Sequence, residues 1–195
     1  MLSHLAINTF AEGNSRIARI LVPLAFAAAL AGGATAQDAP YAGLDSREIA
    51  ALSGDDIAAL QAGSGWGLAL PAELNGWPGP AHVLELADEI GLTEDQLTQV
   101  QAIWDSMNAR AKLAGAELIA GERALDLAFE TGEIDAARLP DLIAAAEAPR
   151  AKLRMIHLTA HLETAPILTM HQKMLYDRAR GYGGELDHSA HGGHN

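Results

Sequence analysis

Histidine side chains are the groups in this 195-residue sequence best placed for chemistry, because the chain contains no cysteine. His157 and His161 are four residues apart and share one helix face, a common way to present two imidazoles to one metal ion. His82 lies in a short predicted helix expected near the same end and is the third candidate ligand. These residues predict a site for Cu, Ni, Co or Zn. The alternative is a hydrogen-bonded histidine pair at a helix edge.

Three further histidines lie in the Gly-rich tail formed by residues 183–195. His188, His191 and His194 are spaced by three, and such His-rich tracts bind transition-metal ions weakly and without fixed geometry. The alternative is an ordinary chain terminus without a binding role. Metal bound by this tail would therefore not by itself define the function of the chain.

Catalytic motifs are not found in the sequence. It has no G-x-S-x-G, no H-E-x-x-H and no phosphate-binding glycine loop, and the lack of cysteine excludes thiol catalysis. Its acidic pairs are better explained as charges at helix N-termini. With 13 Lys and Arg against 25 Asp and Glu, the net charge of -12 disfavours nucleic acid. We expect neither an enzyme nor a nucleic-acid-binding protein.

The elements that must position these residues are predicted to be helices. Hydrophobic residues make up 49% of the chain but aromatic residues only 5%. Such a composition lacks the β-branched and aromatic residues that sheets select, so we expect an all-α fold. The sequence divides into a leader at 1–36, a lead-in of short helices and loops at 37–80, a helical domain at 81–182 and the tail at 183–195.

The leader has the pattern of a secretion signal. Arg16 and Arg19 precede an apolar run over residues 20–30, and small residues then end at Ala36 in the form that signal peptidase accepts. We expect cleavage after Ala36 and export to the periplasm. The alternative is a leader kept as a membrane anchor, although the apolar run is short for a membrane span.

The lead-in is interrupted by Gly and Pro, which favours short helices separated by loops. We predict helices over 46–51, 53–61 and 66–74, the second of them capped by Ser53. After a break at 75–80, a further short helix is predicted over 81–90.

The pattern Leu-Thr-x-x-Gln occurs twice, and each copy predicts a helix start. A Thr at the N-cap accepts a hydrogen bond from the third helical N–H, while the Gln at that third position reaches back to the N–H of the Thr. The residues of the two boxes are Leu92, Thr93 and Gln96, and Leu168, Thr169 and Gln172.

Two long helices are predicted from a heptad repeat of apolar and small residues. The repeat follows the first box, stops at Thr131-Gly132-Glu133 and resumes in a helix expected over 136–165. Matching repeats joined by a short connection predict a long antiparallel helical hairpin. The repeat consists of Leu97, Val100, Trp104, Met107, Ala111, Ala114, Leu118, Gly121, Leu125 and Ala128, then Leu139, Leu142, Ala146, Pro149, Leu153, Ile156 and Ala160.

A second apolar stripe runs along the helix predicted over 136–165, roughly opposite the heptad repeat. Flanking helices could cover this stripe, a second copy of the chain could pair with it, or it could be open to apolar clients. Its apolar residues are Ala144, Ala148, Ala151, Met155, Leu158 and Leu162, and its charged neighbours are Arg150, Arg154 and Glu147.

The leader, the cysteine-free helical chain, the two boxes around a long hairpin and the His-bearing tail together resemble the Spy/CpxP family of periplasmic chaperones. The resemblance covers about residues 80–180. The related CnrX-like heavy-metal sensors share the architecture of this family. The resemblance implies a curved four-helix protomer that forms a cradle-shaped homodimer. The chaperones hold unfolding clients without ATP, whereas the sensors bind a divalent ion and act on a membrane partner. The acidic charge of this chain departs from the basic concave face usual in the chaperones.

One function is therefore predicted, with two alternatives to it. The first is an ATP-independent holding chaperone for unfolded or partly folded envelope proteins, with no required cofactor. The second is a heavy-metal sensor or metal-binding protein that uses His157 and His161 and acts on a membrane signalling partner. The third is an adaptor that docks one dedicated partner. The client surface expected for the first function consists of Ala151, Met155, Leu158, Leu162, Arg150 and Arg154.

Overall fold

The structure, a computed structural model, describes residues 41–182, and this part of the chain is mostly helical. The all-α expectation is confirmed for this part, which contains one long helix, several shorter ones and no strand. None of the helices described is both long and apolar enough to cross a membrane. The helices are α1 (Gly54–Ala62), α2 (Leu70–Glu73), α3 (Pro80–Glu85), α4 (Glu94–Glu130), α5 (Leu139–Thr164) and α6 (Met170–Arg180), with 3-10 turns at Leu44–Ser46 and Ala165–Ile167.

Two sequence predictions fall outside the described residues. One is the leader at 1–36 with its cleavage after Ala36, and the other is the tail with His188, His191 and His194.

The described part of the lead-in, residues 41–80, packs into the same core as the long helices. Ile49, Leu52 and Leu60 are fully buried. The predicted helix over 46–51 is wrong, because this segment forms turns and one isolated bridge between Ile49 and Leu52 that places both side chains in the core. The α4 and α5 residues of this core are Met107, Ala111, Ala114, Leu118, Ile119, Leu153, Ile156 and Ala160.

Small residues allow the closest helix contacts. A Cβ atom added at Gly121 of α4 would lie 2.5 Å from the carbonyl oxygen of Ala145 in α5. One added at Gly115 would lie 2.5 Å from the carbonyl oxygen of Leu60 in α1. Any larger residue at these positions would force the backbones apart, so α4 depends on glycine for its close contacts with α5 and α1.

The two Leu-Thr-x-x-Gln boxes begin α4 and α6 with complete capping boxes. They also bind each other. Gln96 Nε2 donates to Gln172 Oε1 at 2.9 Å, and Gln172 Nε2 donates to Gln96 Oε1 at 2.8 Å. Each amide also donates one further bond across the contact. Gln96 Nε2 donates to the Ile167 carbonyl at 2.8 Å, and Gln172 Nε2 donates to the Gly91 carbonyl at 3.0 Å. The repeated motif therefore joins two helix N-termini that are 76 residues apart in the chain.

Two short helices are shorter in the structure than the sequence predicts. The prediction over 66–74 is reduced to α2, because Gly67 has a positive φ that a helix does not allow. The prediction over 81–90 is reduced to α3, which is followed by turns up to Gly91. The two long helices and the start of α6 agree with the predicted positions to within a few residues.

Candidate functional site

Glu73, in α2, is a buried carboxylate that binds groups from several elements. Its Oε1 accepts hydrogen bonds from the Tyr176 hydroxyl at 2.5 Å and the Tyr182 hydroxyl at 3.0 Å. The His82 Nδ1 atom lies 3.3 Å from the same oxygen and the Arg180 Nε atom lies 3.4 Å from it. One carboxylate thus joins the lead-in to α3, to α6 and to Tyr182, which lies two residues beyond the end of α6.

This cluster keeps Glu73 ionised. Burial alone would raise the pKa of Glu73, because a low-dielectric environment disfavours charge. The hydrogen bonds from His82, Tyr176 and Tyr182 outweigh burial and hold the pKa of Glu73 at about 2. Burial, followed by the hydrogen bond to Glu73, raises the pKa of the Tyr176 hydroxyl well above its usual range. At neutral pH the cluster therefore contains an ionised carboxylate that accepts a hydrogen bond from the protonated Tyr176 hydroxyl.

The three helix-borne histidines named from the sequence all lie near this cluster. His161 is buried, and its Nδ1 lies 2.6 Å from the Trp77 carbonyl oxygen and 3.8 Å from Glu73 Oε2. His157 is 3% exposed, and its Nε2 has no hydrogen-bond partner among residues 41–182. Burial, followed by the proximity of the His161 imidazole, lowers the pKa of His157, which favours the neutral form of this imidazole at pH 7.

The arrangement of these histidines differs from the metal site expected from the sequence. His82 and His161 approach opposite oxygens of Glu73, and the His161 Nδ1 is bound to a backbone carbonyl. Within residues 41–182, no three side chains of His, Asp or Glu are grouped as metal ligands. Metal binding by His82, His157 and His161 stays a prediction.

A cavity of about 490 Å³ lies beside this cluster, between the lead-in and helices α3, α4 and α5. Its volume is within the ~300–1,000 Å³ typical of small-molecule sites. The lead-in supplies a large part of the wall. The lining residues that matter for chemistry are Trp66, Glu73, His82, Trp104, His157 and His161.

Trp66 is held against this cavity in an unfavourable backbone conformation. Its φ is +45°, a region that bulky residues rarely adopt and that costs about 1–3 kcal/mol. Its indole N–H donates to Asp56 at 2.8 Å, and the Arg150 guanidinium lies 4.9 Å from the ring centroid. The bonds from Ser53 and Trp66 lower the pKa of Asp56 to about 2. The surroundings therefore fix the orientation of this ring.

The second apolar stripe is open to solvent. Met155 is 66% exposed and Leu162 is 56% exposed, Ala151 is also exposed, and Leu158 is partly buried. A shallow groove of about 330 Å³ beside them includes Leu113 of α4, which is 67% exposed. The helices flanking α5 do not cover this surface, which we name the open face and define by Leu113, Ala151, Met155 and Leu162.

The two arginines expected beside the stripe are in different surroundings. Arg154 is exposed. The Arg150 Nη2 atom instead lies 2.9 Å from Oε1 of the buried Glu122, and its guanidinium lies over the Trp66 ring of the lead-in. The structure thus brings Arg150 to the side of α5 that the lead-in covers, away from Met155.

Glu73 and its two tyrosine partners were not found from the sequence. Glu73 is bound by Tyr176 and Tyr182, which are 103 and 109 residues away in the chain, and no local pattern predicts such a pair. Trp66 carried a weak signal, because it stands between Gly65 and Gly67 in a segment that is otherwise poor in large side chains.

Comparisons of the chain with protein-family models, with curated proteins and with solved structures found no match.

Proposed function

We propose that this chain is an exported holding chaperone of the Spy/CpxP type. It binds unfolded or partly folded envelope proteins without ATP and acts as a homodimer of antiparallel helical hairpins. The single observation that carries the proposal is the open face, where apolar side chains of α4 and α5 are presented to solvent in one protomer. The two linked boxes, which resemble those of the family, support it.

The position of the open face on α4 supports a role in binding. The lead-in contacts α4 at Asn108, Gly115 and Asp126. Leu113 lies about 160° around the helix from Gly115 at 100° per residue. The lead-in therefore covers one side of α4, and the apolar groove lies on the other.

The chemistry of the open face suits weak and varied clients. Met155 is flexible and polarisable, so it adapts to many apolar partners. The two charged residues that line the groove, Arg110 and Lys152, are both basic although the whole chain carries a net charge of -12. Lys152 Nζ is paired with Glu117 Oε2 at 2.9 Å, so charges of both signs border this small apolar surface, which favours reversible contact with unfolded segments.

The test is suppression of aggregation by a double variant, Met155→Glu with Leu162→Glu. Two carboxylates on the open face should abolish most of the suppression of client aggregation, because apolar client segments would have to desolvate these charges. Light scattering of a heat-denatured client measures the aggregation. The matched control is Leu74→Glu, a lead-in leucine that is 59% exposed, and it should behave like the parent protein.

Other results separate the rival functions. If the double variant folds, keeps its oligomeric state and suppresses aggregation as well as the parent, the client surface is wrongly placed. If it becomes monomeric and still suppresses aggregation, the open face is a dimer contact. Recovery of one stoichiometric partner in a pull-down, with no suppression of aggregation, would favour the adaptor.

A further inference from the structure

We infer that the cavity beside Glu73 binds a small organic cation, a primary ammonium group carried on an apolar body. The inference is independent of the chaperone proposal, because it rests on a different part of the molecule. It uses the lead-in, which lies outside the part of the chain that resembles the family.

Two buried acceptors without a donor point to the ligand. Glu73 Oε2 and His157 Nε2 have no hydrogen-bond partner in the described part of the chain. The Glu73 side chain is 7% exposed and His157 is 3% exposed, yet both residues line the cavity. Buried polar atoms are almost always paired, so a carboxylate oxygen left open at a cavity is a site for an N–H donor.

The two oxygens of Glu73 have different surroundings. The Oε1 atom is surrounded by Tyr176, Tyr182, His82 and Arg180. The Oε2 atom has only the more distant His161 Nδ1, at 3.8 Å, and that nitrogen is bound to the Trp77 carbonyl oxygen. The protein thus uses one oxygen to fix the carboxylate and leaves the other available.

The charges of the wall favour a single positive charge in the ligand. Apart from its histidines, the wall carries two carboxylates, those of Glu73 and Glu85, and one guanidinium, that of Arg180. The neutral His157 adds an acceptor without adding charge. A monocation would neutralise the remaining negative charge, whereas an anion would be repelled.

The aromatic walls favour an organic ion. Trp66 and Trp104 line the same cavity, and indole faces attract ammonium groups and apolar chains alike. The unfavourable backbone of Trp66, held by Asp56 and Arg150, is typical of a residue positioned for binding. A metal ion would instead need several ligands at about 2.0–2.2 Å, and His161 would have to leave its carbonyl partner.

The test compares three probes of the same shape and different charge, 2-phenylethylammonium, 2-phenylethanol and 3-phenylpropionate. Binding to the purified protein is followed by tryptophan fluorescence and by calorimetry. We expect the ammonium to bind at least about tenfold more tightly than the alcohol, and the carboxylate not to bind. Equal affinity for the ammonium and the alcohol would overturn the inference.

Two variants and a control locate the site. Glu73→Gln keeps the side-chain shape and should weaken binding of the ammonium about tenfold or more. Glu130→Gln removes the same charge at the exposed end of α4 and should leave binding unchanged. Because Glu73→Gln also alters a structural cluster, Trp104→Leu provides a second test that changes the wall without changing charge, and it should weaken binding as well.

Three outcomes would contradict the site. One is a folded Glu73→Gln protein that binds the ammonium as tightly as the parent. Another is loss of affinity in Glu130→Gln equal to that in Glu73→Gln. The third outcome combines two results. The parent protein binds Zn(II) or Ni(II) stoichiometrically and loses this binding in Glu73→Gln, and neither the parent nor any variant binds the ammonium. That outcome would assign the cavity to a metal.

Discussion

The two sides of α4 have opposite surroundings. On one side, Leu60 and the rest of the lead-in pack so closely that Gly115 has no room for a Cβ atom. On the other side, Leu113 is 67% exposed beside Met155 of α5. The difference shows that the hydrophobicity of a helix face does not determine whether it is covered. That depends on whether another segment of the chain reaches it.

A second contrast follows from the first. The covered side ends at a cavity with buried polar groups, Glu73 and His157, whereas the open face has apolar groups and basic neighbours. Fixed polar groups suit a small ligand of defined chemistry, and exposed apolar groups suit partners that vary. One pair of helices therefore presents two different kinds of surface.

The largest expected effect compares two leucines on the two sides. Leu60→Ala should lower the free energy of unfolding by about 3 kcal/mol, because a fully buried leucine is replaced by a cavity. The matched change Leu113→Ala should cost less than about 0.5 kcal/mol. Urea unfolding of both variants measures the difference, and similar losses would mean that the open face is covered in the native protein.

A comparable effect is expected from pH, through the Glu73 cluster of the covered side. The folded pKa of Glu73, about 2, is below its ordinary value of 4.5, so its contribution to stability is present above pH 4.5. That contribution, about 3 kcal/mol, is lost as the pH falls from 4.5 towards 2. Urea unfolding across this range should show a smaller decline for Glu73→Gln than for the parent. If the free energies of unfolding of the two proteins decline in parallel with pH, Glu73 is not ionised in the folded protein as described.

A smaller effect is expected where the two boxes meet. Gln96→Ala removes a capping partner of Thr93 and both bonds to Gln172, so it should cost about 2 kcal/mol. The control is Gln99→Ala, one turn further along α4, where the amide bonds only to the Asp95 carbonyl of its own helix. Thermal unfolding followed by circular dichroism compares them. If the two variants have the same melting temperature, the contact between the boxes contributes nothing to stability.

The smallest effect on stability is expected from removing the tail, residues 183–195. The free energy of unfolding should stay the same, because residues 183–195 contain few apolar side chains that could be buried. Calorimetric titration with Cu(II), Ni(II) and Zn(II) should show that the metal affinity falls, since His188, His191 and His194 are lost. A site of one ion per chain that persists in the shortened protein and disappears with His157→Ala would support the metal sensor.

The accuracy of the sequence predictions depended on how local the deciding interactions are. The starts of α1, α4 and α6 were predictable, because Ser53, Thr93 and Thr169 form their caps with residues three positions away. The segment at 46–51 was wrongly predicted as a helix, because Ile49 and Leu52 are buried against helices that follow much later in the chain.

The candidate sites were predictable only in part. The apolar stripe was visible from its helical spacing, but its exposure depends on which side of the helices the lead-in covers. The histidines were noticed for their spacing, yet the group that they surround, Glu73, carries no local signal. The same limit applies to Arg150, whose partner Glu122 lies 28 residues away.

The sequence by itself determined the helical class, the two long helices and the capped boxes, because composition and contacts within a turn or two decide these features. Only the tertiary structure decided that the boxes join, that Glu73 is ionised in a buried cluster beside a cavity, and that one face stays open. The physical reason is distance along the chain: burial and electrostatics depend on segments 70 to 110 residues away, which local patterns do not specify.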